Sequence, residues 1–167
     1  MRWLLVSIAL FISVVLVACN PFAPALDDNS ATTGGISDQR SIEGVFQNFR
    51  YSYTYKDTLI YGQLLTPDFV FMYTNYDNGT EVTWGRDEDM RSTYGLFQTA
   101  QKLDLVWNGI VTVVGDSLFT DVSRGFNLTV TFNPGDVIRV DGRVNLRLTR
   151  ASANDPWLIQ RWRDDSF

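Results

Sequence analysis

Ile138-Arg139-Val140-Asp141-Gly142-Arg143-Val144-Asn145-Leu146-Arg147-Leu148 is the stretch whose reading decides the fold. Ile138, Val140, Val144, Leu146 and Leu148 share one parity, while Arg139, Asp141, Arg143, Asn145 and Arg147 share the other. Successive side chains of a strand point to opposite faces, so this is a strand with one buried and one wet face. A sheet wet on one side is antiparallel as a rule, because the crossovers of a parallel sheet cover both faces. The same alternation returns upstream in Leu103, Leu105, Trp107 and Val111, and again in Phe126, Leu128, Val130 and Phe132. Gly115-Asp116 and Asn133-Pro134-Gly135-Asp136 supply the turns between these runs, and Trp157 to Arg163 reads as the last strand.

Before Leu103 the period changes. Ile42, Val45, Phe46, Phe49 and Tyr53 recur at helical spacing, behind Ser37 or Asp38 as the expected cap. Asp57 reads as a second cap, opening a short helix through Leu59, Ile60, Leu64 and Leu65 that Pro67 is expected to end. Phe69 to Tyr73 and Thr80 to Trp84 form a hairpin around Asn75-Tyr76-Asp77-Asn78-Gly79. Arg86 to about Ala100 is a third helix, with Asp87, Glu88 and Asp89 at its positive N-terminal end. Helices gathered on one face of a largely antiparallel sheet make an α+β domain, with the three N-terminal helices packed against the sheet.

The N-terminus carries a different message. Arg2 is followed by sixteen residues, Trp3 to Ala18, that are apolar except for Ser7 and Ser13. That run is shorter than the roughly 20 residues a spanning helix needs, and it has the layout of a signal peptide. Leu16-Val17-Ala18-Cys19 resembles the lipobox of bacterial lipoproteins, which implies cleavage before Cys19, lipid on its thiol, and display on the bacterial cell envelope. Residues 19–37, with Pro21, Pro24 and Thr32-Thr33-Gly34-Gly35, read as a flexible tether. Residues 38–167 would then be the single folded domain. Asn20 is not the aspartate that resembles an inner-membrane retention signal, which favours the outer membrane where the host has one.

Composition narrows the chemistry. With Arg2 gone the 14 basic side chains fall to 13, against 19 acidic ones, a formal charge of −6. Such a chain does not bind nucleic acid through bulk electrostatics. Cys19 is the only cysteine, so no intrachain disulfide forms. There is no histidine, which removes the commonest general base and metal ligand. A Ser-His-Asp triad and a histidine-bound metal are therefore excluded, and neither a cofactor nor a metal is expected.

The order of elements, with three local strings, resembles the nuclear transport factor 2-like superfamily, which includes the SnoaL-like polyketide cyclases and the ketosteroid isomerases. Leu64-Leu65-Thr66-Pro67-Asp68-Phe69-Val70-Phe71 is similar to that family's step from second helix into first strand. Trp84-Gly85-Arg86-Asp87-Glu88 is similar to its start of the third helix, and Trp157-Leu158-Ile159-Gln160-Arg161-Trp162-Arg163-Asp164 to its closing strand. The resemblance covers roughly 39–164 and implies a cystatin-like cone, a curved mixed or antiparallel sheet wrapped around the helices with a pocket at the open end. The cyclase-type histidine–aspartate pair has no counterpart here. No aspartate base opposite a tyrosine and a protonated carboxyl aligns either, so no catalytic residue is carried over.

Within such a cone Tyr55, Tyr61, Trp84 and Trp107 are the expected pocket walls, since they lie near element ends and pair an apolar body with one polar atom. Arg161 is a candidate clamp for a carboxylate or phosphate, weighed against a cross-strand ion pair with Asp121 or Asp141. The Arg139, Arg143 and Arg147 ladder reads as a solvated or dimer-facing surface. Asp87, Glu88 and Asp89 together read as helix capping. The leading expectation is a lipid-anchored protein that binds a small apolar ligand or a protein partner without evident catalysis. The alternatives are an isomerase, cyclase or dehydratase using a buried Asp or Tyr, and a structural module that makes a homodimer through its sheet face.

Overall fold

A computed structural model of the chain describes residues 35–166; Cys19 and the sequence around it lie outside them. The order is α1 (Ile42–Tyr55), α2 (Thr58–Leu64), β1 (Leu65–Asn75), β2 (Thr80–Gly85), α3 (Arg86–Thr99), β3 (Lys102–Gly115), β4 (Phe119–Asn133), β5 (Asp136–Thr149) and β6 (Leu158–Ser166).

Ser41, not Ser37 or Asp38, caps α1, its Oγ accepting from the Gly44 N–H at 3.0 Å. Ser37 is nearby in another role: its hydroxyl donates to the Gly44 carbonyl at 2.8 Å. The expected apolar stripe is the buried one, with Val45, Phe46, Phe49 and Tyr53 facing inward. Asp57 caps α2 as its position requires, its Oδ1 accepting from the Leu59 and Ile60 N–H groups at 3.0 Å each. Pro67 does not end that helix but lies inside β1. Its missing N–H falls where the β1–β6 register shifts, between Leu65 and Val70, the part of a strand that tolerates proline.

The six strands form one curved, mixed sheet in the order β2-β1-β6-β5-β4-β3. β3 to β6 make an antiparallel meander, and β6 then runs parallel to β1. α1 lies against α2 and β3, and α3 against β1 and β2. Their apolar faces meet Leu103, Leu105, Val122, Phe126, Val144, Leu146, Leu148 and Ile159. Phe49 sits at the centre, stacked on Tyr53 and edge-on to Tyr61, Trp107 and Trp162, with centroids 5.0 to 5.6 Å away.

The alternation fails at the far ends of the long hairpins. Val111 was expected on the core parity of β3 but is exposed, as are Ile110, Val113 and Val114: past Trp107, where the register with β4 shifts, both faces of the strand lie outside the core. Ile138 keeps its parity yet is also exposed. Gly115 closes the β3–β4 turn so tightly that a Cβ there would run into the Phe119 carbonyl oxygen.

Phe46 is fully buried under Trp107 and Arg124. Phe46→Ala should destabilise the domain by about 3–5 kcal/mol, read from the denaturant midpoint at unchanged m-value.

Candidate ligand cavity

A cavity of about 300 Å³ opens between α1, α2 and α3 and the concave face of the sheet. That places it at the small end of small-molecule sites. Its walls are mostly aromatic and aliphatic, including Phe49, Phe71, Trp84, Phe126, Val140 and Trp162. A row of register partners, Trp84, Phe71, Trp162 and Leu146, crosses β2, β1, β6 and β5. Phe71 stacks on Trp84 with centroids 4.4 Å apart and meets Trp162 edge-on at 5.1 Å.

Against this apolar lining stands Asp89, only 4 % exposed. It belongs to the first turn of α3, where Asp89, Thr93 and Phe97 at four-residue spacing face the interior. The Arg86 guanidinium donates to the Gly62 carbonyl at 3.0 Å and holds the start of α3 against α2. The Tyr61 hydroxyl donates to Asp89 Oδ2 at 2.6 Å, and the Trp84 indole N–H donates to Oδ1 at 3.1 Å. Burial pushes the Asp89 pKa above the ordinary carboxylate value, and the hydrogen bonds from Tyr61 and Trp84 offset part of that rise. Tyr61 is raised well above a free phenol, first by burial, then by Tyr53 and by the Asp89 charge and hydrogen bond. Tyr53 is raised too, by burial and then by the charges of Asp89 and Asp164. Asp164, on β6, lines the same cavity.

Of the five residues expected at a ligand site, Tyr61 and Trp84 line this cavity; Tyr55, Trp107 and Arg161 lie elsewhere. Tyr55 ends α1 on its outer side, 60 % exposed and tilted against Tyr51 one turn earlier at 4.5 Å. It borders a surface groove with Arg50 and Asp104 instead. Trp107 is a core wedge, edge-on to Phe46 and Phe49, its indole N–H donating to the Phe46 carbonyl at 2.9 Å.

Arg161 is on the outer face of the sheet, and the cause is local. Trp157 and Ile159 point into the core, so strict alternation would bring Arg161 inward with them. Between Ile159 and Arg161 the pairing with β5 shifts register, so Trp162 and Asp164 face inward instead. Arg161 Nη2 then lies 3.9 Å from Asp121, the ion pair weighed as its alternative. Asp121 is chiefly engaged by Arg147, its partner on β5, through two hydrogen bonds of 3.0 Å. Those bonds hold the Asp121 carboxyl below its ordinary range.

Asp89 and Asp164 are the residues that sequence reasoning missed. Asp89 was read together with Asp87 and Glu88 as capping, although its spacing to Thr93 and Phe97 marks an inward position. Asp164 carries the same kind of signal, two residues after Trp162 on one strand face.

No protein-family model matches the chain, and no curated protein does. Solved structures do. A conserved protein from Planctomyces limnophilus is 17% identical, with a TM-score of 0.67 over 78% of this chain and 96% of its own. A candidate scytalone dehydratase from Novosphingobium aromaticivorans is 13% identical, with a TM-score of 0.66 over 77% and 83%. A candidate dehydratase of the nuclear transport factor 2-like family from Streptomyces avermitilis is 14% identical, with a TM-score of 0.59 over 76% and 94%. The fold is therefore the nuclear transport factor 2-like cone, of the α+β class.

Since Asp89 is raised in the folded state, the stability its neutral form carries is complete below the unfolded value of 3.8 and drains as pH rises through the raised pKa. Asp89→Asn stays neutral throughout. Denaturant midpoints measured from acid to neutral pH should move in the variant's favour as pH climbs, whereas a constant difference would contradict a raised Asp89.

Proposed function

We propose that this chain is a lipid-anchored protein of a bacterial envelope whose cone binds a small, mostly apolar molecule. The observation that carries the binding reading is the aromatic cavity with one hydrogen-bonded carboxylate, Asp89, buried in its wall. Such a site buries the body of a ligand and orients it by one or two polar contacts. The solved structures described as candidate dehydratases are consistent with a cone that takes small molecules.

The anchor reading rests on the sequence of residues 16–19 and on the tether after them. Two or three acyl chains hold a protein firmly where one does not. With Asn20 after the cysteine, we place the protein on the outer membrane of a host that has one. Cys19→Ser should abolish acyl labelling and release the chain from membranes; continued attachment without the thiol would sink this part of the proposal.

A second reading, acid–base catalysis of the isomerase, cyclase or dehydratase type, is favoured by Asp89 alone. A carboxyl whose pKa is shifted toward neutrality by burial in a cavity is poised to take or give a proton. The exposed apolar residues Ile110, Val111, Val113 and Val114 of β3 support a third reading, a homodimer through the sheet face. Native mass spectrometry of the gently purified chain addresses both questions in one spectrum. A retained small-molecule mass is the expected result, while a chain that carries nothing, as monomer or dimer, would count against the binding reading.

A further inference from the structure

Tyr55 does not line the cavity, yet the surface it occupies has the features of a second site. Arg50, Tyr51, Thr54 and Tyr55 fall at helical spacing on the outer flank of α1, away from the buried Phe49, Ser52 and Tyr53. Tyr51 and Tyr55, one turn apart, meet with ring centroids 4.5 Å apart and planes tilted by 44°. With Asp104 of the edge strand β3 they line a groove of about 300 Å³. A ring as exposed as that of Tyr55 adds little burial to the fold. Set beside its neighbour, it presents a flat contact surface that costs little conformational entropy to use.

The polar groups around these rings have both hydrogen-bond senses. Arg50 is exposed and makes no ion pair among the described residues, and its guanidinium offers donors only. Asp104 offers acceptors only. Its ion pair with Lys102 joins two exposed side chains at 3.6 Å, beyond hydrogen-bond range. Thr54 adds a hydroxyl of either sense. An anion would suit Arg50 and be repelled by Asp104, and a cation the reverse. A proline-rich segment brings carbonyls but no N–H, which leaves Asp104 unmatched. A neutral molecule whose hydroxyls both donate and accept satisfies the two together, and a pyranose adds a flat C–H face for the tyrosines. We propose that the groove between α1 and β3 is a saccharide site. A neutral pyranose packs its C–H face on Tyr51 and Tyr55, while its hydroxyls donate to Asp104 and accept from Arg50. The groove is on the outer side of α1, so this assignment goes beyond the cavity reading and does not rest on it.

Three probes separate this from the alternatives: cellobiose, the open-chain polyol sorbitol, and a tetraproline amide. Each is titrated into the full chain and followed at the ring resonances of Tyr51 and Tyr55, with the indole N–H of Trp84 as the monitor of the cavity. Cellobiose should move both tyrosines and leave Trp84 still, with a Kd on the order of 1 mM, as an open groove with one stacked face allows. Sorbitol has the hydroxyls without the ring face and should bind at least about tenfold more weakly. Tyr55→Ala, at an exposed position, should weaken cellobiose by at least about tenfold, and Asp104→Ala by at least about threefold. Denaturant midpoints close to that of the unchanged chain would show that both variants are folded. Equal binding of cellobiose and sorbitol would overturn the assignment, since stacking would then contribute nothing. Tightest binding by the tetraproline amide would make the groove a peptide site and overturn it as well. If cellobiose moves Trp84 and neither tyrosine, the sugar belongs to the cavity and the groove assignment falls. It also falls if no probe moves either tyrosine.

Discussion

A carboxylate taken out of water must be met by donors, and Asp89 is met by two from different elements. Tyr61 reaches it from α2 and Trp84 from β2, while its own backbone belongs to the first turn of α3. One acidic side chain thereby pins a helix, a strand and the start of another helix at a common point. Hydrogen bonds to a charged group are worth about 1.5–3 kcal/mol each, against a desolvation cost of several kcal/mol. Terms of that size nearly cancel, so what the arrangement supplies is geometry rather than net stability. It keeps a polar group in the wall of a cavity whose lining is otherwise mostly apolar.

Stability comes from elsewhere. On the outer face of the sheet, Arg147 grips Asp121 with a planar fork, and Arg163 lies 2.8 Å from Glu81. These side chains are about a third to a half exposed, and pairs of that kind contribute roughly 0–1 kcal/mol. The fold rests instead on the buried aromatic cluster around Phe49 and on the inner rows of β3 to β6. With no disulfide to restrain the unfolded chain, that apolar burial has to offset its conformational entropy.

Much of this was legible from residue order alone, because period carries the information. The stripe from Val45 to Tyr53 and the parity of Val144, Leu146 and Leu148 follow from the angles between successive side chains, and both are buried as expected. Tyr61 was expected near a pocket because it lies near an element end and pairs an apolar body with one polar atom, and it does line the cavity. What resisted reading was phase. A helix cap at Ser41 instead of Ser37 and the shifts after Trp107 are invisible in composition, since each depends on which neighbour a backbone group finds. Tyr55 shows the same limit, for an aromatic residue near an element end says nothing about which side of the helix it occupies.

The irregularity in β6 has the largest consequence of these. Strict alternation from Trp157 and Ile159 would aim Arg161 and Arg163 at the cavity and turn Trp162 and Asp164 to the outer face. The shift between Ile159 and Arg161 reverses that assignment over the rest of the strand. A displacement of one residue in a strand exchanges its two faces completely. Here it exchanges two guanidiniums for an indole and a carboxylate on the side of the sheet that lines the cavity. The arginines removed from the interior pair with Asp121, Glu81 and Asp165 on the outside, where water screens both partners. Which side chains of the closing strand line this cavity is thus set less by the residues the strand contains than by the single point at which its pairing slips.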